Sequence, residues 1–226
     1  MRTCIYRFTT LLYMIRYMFN GNISIQGMVF NTDIEVKKNN TLTIGDKLSN
    51  SYIETKGNGN EVLIEGSAQH IRIIIIGNNN KVYLKKKSTI HNTEILIRAN
   101  HAVVEVGERT NILGAHLVCQ GHHNYINIGR DCLFSHGIEI WNSDTHTVTD
   151  LDGNIINRSR PITVGNHVWL GKNVTILKGV TLGDNSVVGM GSIVTKDIAP
   201  NTINVGIPSK AINSDVTWND ELIMLT

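Results

Sequence analysis

One histidine in this sequence stands in a setting that suits proton transfer. His146 lies in the polar segment WNSDTHTVTDLDGNIINRSRP, which begins at Trp141. Histidine titrates near neutral pH, so it can take a proton from a hydroxyl group and return it, provided that another group holds the ring. Asp144 stands two residues earlier and is one candidate for that role; a backbone carbonyl is another. The segment predicts general acid–base chemistry at His146, with an ordinary solvated loop histidine as the alternative.

A regular repeat follows this segment. From Ile162 to Asp197 an aliphatic residue recurs at every sixth position, with a small or β-branched residue four positions after each one. The aliphatic residues are Val164, Leu170, Ile176, Leu182, Val188 and Val194. Helices repeat their buried face about every 3.6 residues and strands every second residue, so two buried strands would show this spacing only by coincidence. A period of six is typical of a parallel β-helix, in which each repeat forms one face of a triangular coil.

A weaker repeat covers the chain before the segment. A polar turn followed by an alternating strand pattern recurs at intervals of 19, 20, 22 and 22 residues. Its copies are KNNTLTIG from Lys38, GNGNEVLI from Gly57, GNNNKVYL from Gly77, ANHAVVEV from Ala99 and GHHNYINIG from Gly121. Each interval fits one coil with a small insertion at a corner, which a solenoid tolerates because each coil contacts only its neighbours. The Asn-rich turns also fit, because asparagine accepts left-handed backbone geometry and stacks in ladders.

Together the repeats predict an all-β protein built as one solenoid over residues 22–211. The register fails between Ile140 and Ile162, so we expect residues 141–161 to leave the solenoid wall as an extruded loop. Long loops on rigid scaffolds commonly carry function, which strengthens the case for His146. Residues 1–21 and 212–226 remain as an N-terminal segment and a C-terminal tail.

The composition narrows the classes of function. The chain has 226 residues and a formal net charge of +2, which gives no strong case for nucleic acid as a partner. Its three cysteines, Cys4, Cys119 and Cys132, are odd in number and lack the paired spacing of a zinc site. This pattern favours buried, reduced thiols in a cytoplasmic protein over a disulfide or a metal site.

The first twenty residues, MRTCIYRFTTLLYMIRYMFN, differ from the rest of the chain. Their longest uncharged run, Phe8 to Ile15, is too short to span a bilayer, and no small-residue cleavage site follows it. We expect a short helix that caps the open end of the solenoid. The alternative is an interfacial amphipathic helix whose Arg2, Arg7 and Arg16 face lipid headgroups, which would place the protein at the membrane periphery.

Three stretches of the sequence resemble a known enzyme family. They are CLFSHGIEIWNSDTHTVTD, the six-residue repeat with its HVWLG, and GIPSK after the last coil. All three are similar to the hexapeptide-repeat O-acetyltransferases. Within that family the resemblance is greatest to enzymes that O-acetylate capsular polysialic acid, and more distant to galactoside and maltose acetyltransferases. It covers residues 121–218 well and the earlier residues loosely, and it is far more specific for the acyltransferase class than for the acceptor sugar.

The resemblance implies a left-handed β-helix that uses acetyl-CoA and no metal. The family's essential histidine falls on His146, which would be the general base on the acceptor hydroxyl, so that the alkoxide attacks the thioester directly. Trp169 matches a tryptophan that shapes the acceptor and thioester pocket, although it could instead pack against a neighbouring subunit. The turn at Gly171 and Lys172 matches a backbone N–H donor to the oxyanion. The candidate catalytic residues are therefore His146, Trp169 and Lys172, and the candidate acceptor-binding residues are Trp141 and Asp144.

The resemblance also implies where coenzyme A would lie, in a groove between two parallel solenoids. The matching positions are Gly189, Met190, Thr195, Lys196 and Lys210. Lys196 and Lys210 would pair with phosphates, unless they are simply solvated surface lysines. This chain departs from the family pattern in having Asn213 where galactoside-type relatives carry a basic residue, and in a loop one residue shorter before Trp169. A homotrimer is implied as well, because a cyclic arrangement completes three such grooves.

The sequence therefore predicts an acetyl-CoA-dependent O-acetyltransferase that acts on a bacterial surface-polysaccharide sugar, with capsular sialic acid as the first candidate. An acyltransferase that moves a longer acyl chain or acts on an amine is the nearest alternative. A γ-carbonic-anhydrase-like metal enzyme is another, with His116, His122, His123 and His136 as the candidate ligands. The last is a non-catalytic solenoid that binds glycans through Trp141, Trp169 and Trp218.

Overall fold

A computed structural model describes residues 15–17 and 21–221. Every regular element in these ranges is a β-strand, and the strands form three sheets along the sides of a solenoid of about eight turns. The predicted all-β parallel solenoid is confirmed.

The chain passes through sheets A, B and C once per coil, and the strands are numbered along the chain. Sheet A contains β1 (Ile15–Tyr17), β4 (Thr32–Val36), β7 (Tyr52–Lys56), β10 (Arg72–Ile76), β13 (Glu94–Arg98), β16 (Ala115–Gln120), β19 (Ile138–Trp141), β22 (Thr175–Leu177) and β25 (Ile193–Val194). Sheet B contains β2 (Asn22–Ile25), β5 (Thr41–Ile44), β8 (Glu61–Ile64), β11 (Lys81–Leu84), β14 (Val103–Val106), β17 (Tyr125–Ile128), β20 (Ile162–Val164) and β23 (Thr181–Leu182). Sheet C contains β3 (Val29–Phe30), β6 (Leu48–Ser49), β9 (Ser67–Gln69), β12 (Thr89–His91), β15 (Asn111–Ile112), β18 (Leu133–Phe134), β21 (Trp169–Leu170), β24 (Val187–Val188), β26 (Thr202–Gly206) and β27 (Ser209–Ser214).

Neighbouring strands pair in parallel, except that β27 folds back antiparallel on β26. Residues that stack on successive coils are 19 or 20 positions apart near the start of the solenoid, 22 in the middle and 18 near its end. The interval rises to 36 between Arg130 and Asn166, where the loop after Trp141 is inserted. The corners where the chain turns from sheet A to sheet B, and from sheet C to sheet A, are called the A/B and C/A corners below.

The predicted six-residue repeat supplies the core. Its six aliphatic residues, Val164 to Val194, are all buried, and each lies in a different strand from β20 to β25. The small and β-branched residues four positions later are buried too, from Val168 to Ile198. Burial of one such aliphatic side chain stabilises a fold by about 1.5–3 kcal/mol. Phe134 is the largest fully buried side chain of the described coils and lies among these aliphatic residues.

Stacked asparagines hold the A/B corners of the earlier coils. The amide nitrogens of Asn60 and Asn80 donate to the carbonyls of Gly77 and Ala99 at 2.9 and 2.8 Å. The Asn60 side-chain oxygen accepts the backbone N–H of Asn80 at 3.0 Å, so the contact passes from coil to coil. Asn39 and Asn79 at these corners have φ values of 66° and 56°, the left-handed region predicted for the Asn-rich turns. Buried asparagines thus satisfy backbone groups that would otherwise lack partners.

The predicted N-terminal helix receives a partial correction. Ile15–Tyr17 forms strand β1, which pairs in parallel with Thr32–Val36 of β4. Isoleucine and tyrosine favour strands, and the open edge of sheet A offers unpaired backbone groups to this segment. The rest of the predicted capping or interfacial helix, including Arg2 and Arg7, lies outside the described residues. Within the described part of the chain, no helix has the length and hydropathy needed to cross a bilayer.

Two of the three cysteines are described, and both are buried free thiols, as predicted. Burial raises the pKa of Cys119 to about 12 and that of Cys132 to about 11. Both are therefore protonated at neutral pH and unsuited to nucleophilic attack. Cys4 lies outside the described residues.

Candidate functional site

The predicted loop leaves the solenoid at an A/B corner and is fixed at both ends. Asn142 follows β19 and is fully buried. Its side chain accepts the N–H of Gln120 at 2.8 Å and donates to the Gln120 carbonyl at 3.1 Å. Where the chain returns, the N–H of Arg160 donates to the Asn142 carbonyl at 3.0 Å. The loop therefore starts from one buried asparagine and closes on it.

The outer part of the loop is a small hairpin. Thr149 and Ile155 form an antiparallel bridge, and the Asp150 carboxylate accepts the N–H groups of Asp152 and Asn154 at 3.0 and 2.8 Å. Four apolar side chains of this hairpin are exposed: Val148, Leu151, Ile155 and Ile156. Clustered exposed apolar side chains are a feature of interaction surfaces.

The backbone around His146 is held by hydrogen bonds, and its side chain is exposed. The His146 N–H donates to the Asp144 carbonyl at 2.7 Å. Its carbonyl accepts the Asn157 amide at 2.8 Å, and the Asn157 side-chain oxygen accepts the N–H of Val148 at 2.7 Å. The loop thus presents the imidazole to solvent from a fixed backbone, a geometry suited to a general base that meets its substrate at the surface.

Asp144 has different partners from those the sequence suggested. Its carboxylate accepts a hydrogen bond from Lys178 Nζ and another from the Asn157 amide at 2.9 Å. Lys178 also donates to the Asn157 carbonyl at 3.1 Å. Within the described residues, the Asp144 carboxylate makes no hydrogen bond to the His146 ring. Asp144 therefore anchors the loop to the corner that follows β22, and this network positions His146 through the backbone rather than through the ring.

An open depression lies beside the start of the loop, with a volume of about 470 Å³. It is lined by His116, Glu139, Trp141, Ser143, Asp144, Thr175 and Leu177. The two predicted acceptor-binding residues, Trp141 and Asp144, therefore share one surface. The sequence did not single out Glu139, which lies two positions before Trp141 on the same outward face of β19.

Trp169 and Lys172 lie elsewhere on the chain. Trp169 is in β21 of sheet C with 40% of its surface exposed, and Lys172 is exposed at the following C/A corner. The N–H of Gly171 donates to the Val188 carbonyl at 2.8 Å, so the candidate oxyanion donor of this turn is the Lys172 N–H. His146 lies at an A/B corner, so one chain places these candidate catalytic residues on different sides of the solenoid.

The C-terminal tail adds an aromatic contact near Trp169. Trp218 stacks on His167 with ring centroids 4.2 Å apart, and its indole N–H donates to the His167 carbonyl at 2.8 Å. The Trp218 and Trp169 rings lie 5.9 Å apart. The tail is therefore packed along sheet C at least as far as Trp218.

The predicted coenzyme positions fall into two groups. Gly189 and Met190 lie at a C/A corner with Met190 largely exposed, and Lys210 lies on β27 at the end of sheet C. Thr195 and Lys196 are exposed at an A/B corner, one coil beyond Lys178. One chain therefore does not bring all five predicted coenzyme residues together. Thr195 and Lys196 lie on the same side of the solenoid as His146.

The four histidines considered as metal ligands are dispersed. His116 lies on sheet A, His122 and His123 lie at an A/B corner, and His136 lies at a C/A corner. Among residues 21–221 no group of three or more His, Cys, Asp or Glu side chains has the geometry to hold a metal ion. The geometry thus gives no support to the carbonic-anhydrase-like alternative.

The sequence is similar to several acetyltransferases. Residues 161–196 match the family described as hexapeptide repeat of succinyl-transferase. Over 131 residues the chain is 34% identical to the polysialic acid O-acetyltransferase of Neisseria meningitidis, covering 48% of this chain and 60% of that protein. Over 54 residues it is 61% identical to the galactoside O-acetyltransferase of Escherichia coli strain K12, covering 24% of this chain and 27% of that one.

Two solved structures share most of the fold. The polysialic-acid-specific acetyltransferase NeuO has a TM-score of 0.71 and 27% identity, over 90% of this chain and 85% of that one. The polysialic acid O-acetyltransferase OatWY has a TM-score of 0.57 and 30% identity, over 92% of each chain. This chain belongs to the hexapeptide-repeat acetyltransferases. Its sequence matches span 60% or less of the length of the two curated relatives named above.

For this hexapeptide-repeat acetyltransferase we expect the order of the His146 loop to depend on pH. Hydrogen bonds from Lys178, and secondarily from Asn157, hold the pKa of Asp144 below its ordinary value near 3.8. A carboxylate with a lowered folded-state pKa contributes its full stabilisation above the unfolded-state pKa, and this is lost as the pH falls through the folded-state value. Hydrogen-exchange protection of the His146 and Val148 amides, corrected for intrinsic rates, should therefore fall as the pH drops from about 5 through the lowered pKa of Asp144.

The matched variants for this test are Asp144→Asn and Asp152→Asn. Asp144→Asn should lower the protection of the His146 and Val148 amides near neutral pH, and these two amides should lose little more in acid, because the titrating partner of Lys178 is gone. Asp152→Asn alters a carboxylate at the hairpin tip and should behave like the wild type. An equal acid-dependent loss at the His146 and Val148 amides in wild type and Asp144→Asn would show that another group controls this part of the loop.

Proposed function

We propose that this chain transfers an acetyl group from acetyl-CoA to a hydroxyl of a bacterial surface-polysaccharide sugar in the cytoplasm. The observation that carries the proposal is its similarity, over about nine tenths of the chain, to two polysialic acid acetyltransferases. The exposed His146 on its hydrogen-bonded loop supplies the chemistry that such a transfer needs. The sialic acid of a capsule is the first candidate acceptor.

In the first step His146 acts as the general base. Its imidazole takes the proton of the acceptor hydroxyl while the hydroxyl oxygen attacks the thioester carbonyl carbon of acetyl-CoA. The carbonyl oxygen becomes an oxyanion, for which the Lys172 N–H is the proposed donor. Collapse of the tetrahedral intermediate breaks the carbon–sulfur bond, and the imidazolium returns its proton to the departing thiolate. Acetyl ester and CoA thiol are the products.

Coenzyme A has an elongated anionic arm, so its binding calls for exposed cations beside an open surface. Lys196 and Lys210 are exposed and are the proposed phosphate partners. Met190, with 72% of its surface exposed, is the proposed apolar contact for the pantetheine arm. Thr195 and Gly189 complete the proposed groove, and at Gly189 an added Cβ would lie 2.6 Å from Val205. A side chain at Gly189 would therefore require the Val205 side chain to move.

The division of these residues between two sides of the solenoid supports a homotrimer. His146, Thr195 and Lys196 lie at A/B corners, whereas Trp169, Lys172 and Met190 lie on or after sheet C. A cyclic assembly brings the A/B corner of one protomer against the sheet C side of its partner, which unites the two groups. The hairpin next to His146 has exposed apolar side chains, and packing them against a neighbouring protomer would remove apolar surface from water.

Release of free CoA thiol from acetyl-CoA tests the proposal. Purified full-length protein is assayed with sialylated oligosaccharides, galactosides and amino sugars, and the product is identified by mass spectrometry. We expect acceptor-dependent turnover with at least one sugar and a gain of one acetyl group on a hydroxyl. Acetyl on nitrogen would identify the amine-acylating alternative. Sugar binding without turnover would identify a glycan-binding solenoid and overturn the proposed activity.

A further inference from the structure

A carboxylate holds the indole of Trp141 in place beside the His146 loop. Trp141 Nε1 donates to Glu139 Oε2 at 2.6 Å, and His116 Nδ1 lies 3.2 Å from the same oxygen. The His116 ring meets the indole edge to face, with centroids 5.2 Å apart and planes at 83°. These three side chains come from two paired strands, β16 and β19. Two contacts of different kinds thus fix the orientation of one partly exposed tryptophan.

The fixed indole forms part of a surface suited to a sugar ring. The depression that it lines has a volume of about 470 Å³, within the usual range of small-ligand sites, and is open to solvent. Ser143 and Thr175 add hydroxyls to the lining, and Leu177 adds an apolar side chain. A pyranose has an apolar C–H face and a polar edge of hydroxyls, so an aromatic plane flanked by hydroxyls matches both of its sides.

Charge decides which edge of the sugar faces inward. The Glu139 carboxylate is engaged with Trp141 and His116, and the Asp144 carboxylate is engaged with Lys178. Carboxylates accept hydrogen bonds from sugar hydroxyls but repel another anion at close range. This arrangement favours an orientation in which an acidic sugar directs its hydroxyl edge toward Glu139 and its own carboxylate away from it. The hydroxyl edge is the part that has to approach the His146 loop.

We propose that this depression is the acceptor-sugar subsite and that Glu139, with His116, is a positioning residue that holds Trp141 as its stacking surface. This inference rests on the proposed function, since it names the part of the site that receives the sugar. The glutamate acts through the indole rather than on the reacting atoms. Its loss should therefore weaken sugar binding and leave the chemical step and acetyl-CoA binding in place.

The kinetic test compares three variants of the full chain. Glu139→Ala removes the acceptor of the indole N–H and should raise KM for the sugar by about tenfold or more, with kcat and the KM for acetyl-CoA within about threefold of wild type. Glu139→Gln keeps an oxygen that can accept from Trp141 and should rescue most of the loss. Glu61→Ala is the matched control, because Glu61 accepts from the Tyr83 hydroxyl at 3.0 Å on sheet B and is as exposed as Glu139. It should leave all three constants unchanged.

Direct sugar binding separates this inference from the proposed activity. Saturation-transfer NMR with the same sugars should show contacts to the ring C–H groups in wild type, and at a fixed sugar concentration these should be much weaker in Trp141→Ala and Glu139→Ala. Binding of this kind without acetyl transfer would overturn the activity and leave the subsite standing. A sugar KM unchanged in Glu139→Ala, a fall in kcat alone, or NMR contacts of wild-type strength in both variants would overturn the subsite. Matching circular dichroism of Glu139→Ala and Glu61→Ala checks that both are folded.

Discussion

Replacement of His146 by alanine should lower kcat for acetyl transfer by about 10²–10⁴-fold, the usual contribution of a general base. The substitution removes the imidazole but keeps the backbone contacts of residue 146 to Asp144 and Asn157, so the loop should stay folded. The KM for acetyl-CoA should change little, because the coenzyme is proposed to bind through other residues. Release of CoA thiol at saturating acceptor measures the effect.

His91→Ala is the control for this experiment. His91 is also partly exposed, but it lies in β12 on sheet C, several coils before the loop. Its replacement should leave kcat unchanged, which excludes a general effect of removing a surface histidine. If His146→Ala kept more than about a tenth of the wild-type kcat, His146 would not be the base, and the acid–base role would have to lie elsewhere in the loop.

The regular part of the fold could be predicted because its signal is local. A residue such as Leu170 or Ile176 is buried because of its position within one six-residue repeat, whatever the distant parts of the chain do. The same holds for the left-handed turn at Asn79, which depends on residue type and the neighbouring turn. The interruption after Trp141 can be predicted for the same reason, because the loss of the six-residue spacing is also a property of the local sequence.

The contacts of the candidate site could not be predicted, because they join different coils. Lys178 contacts Asp144 although the two residues are 34 positions apart in the sequence. His116 contacts Glu139 on the next coil. Which side chains meet there depends on how many residues each corner inserts, and these numbers vary along the solenoid. The sequence therefore marks His146 and Trp141 as candidates, but it could not show that Asp144 pairs with a lysine or that Trp141 is held by a carboxylate.

The stability of the coil that leads into the loop depends strongly on one aromatic side chain. Phe134 is fully buried in β18 and pairs in register with Ile112 and Leu170 on the adjacent coils. Phe134→Ala should lower the free energy of unfolding by about 3–5 kcal/mol, because it removes buried apolar surface and leaves a cavity that flanking strands cannot fill. Urea unfolding followed by circular dichroism measures the change.

Two variants give this prediction its controls. Phe134→Leu keeps most of the volume and should cost much less than Phe134→Ala. Tyr125→Ala removes an aromatic ring of the same coil that is 41% exposed, and it should change stability by less than about 1 kcal/mol. A solenoid's stability is the sum of its coils and their interfaces, so a defect at Phe134 should loosen the coil that leads into the loop before the distant coils. Hydrogen exchange would then show early opening of β18 and β19, and uniform opening of all coils would contradict this account.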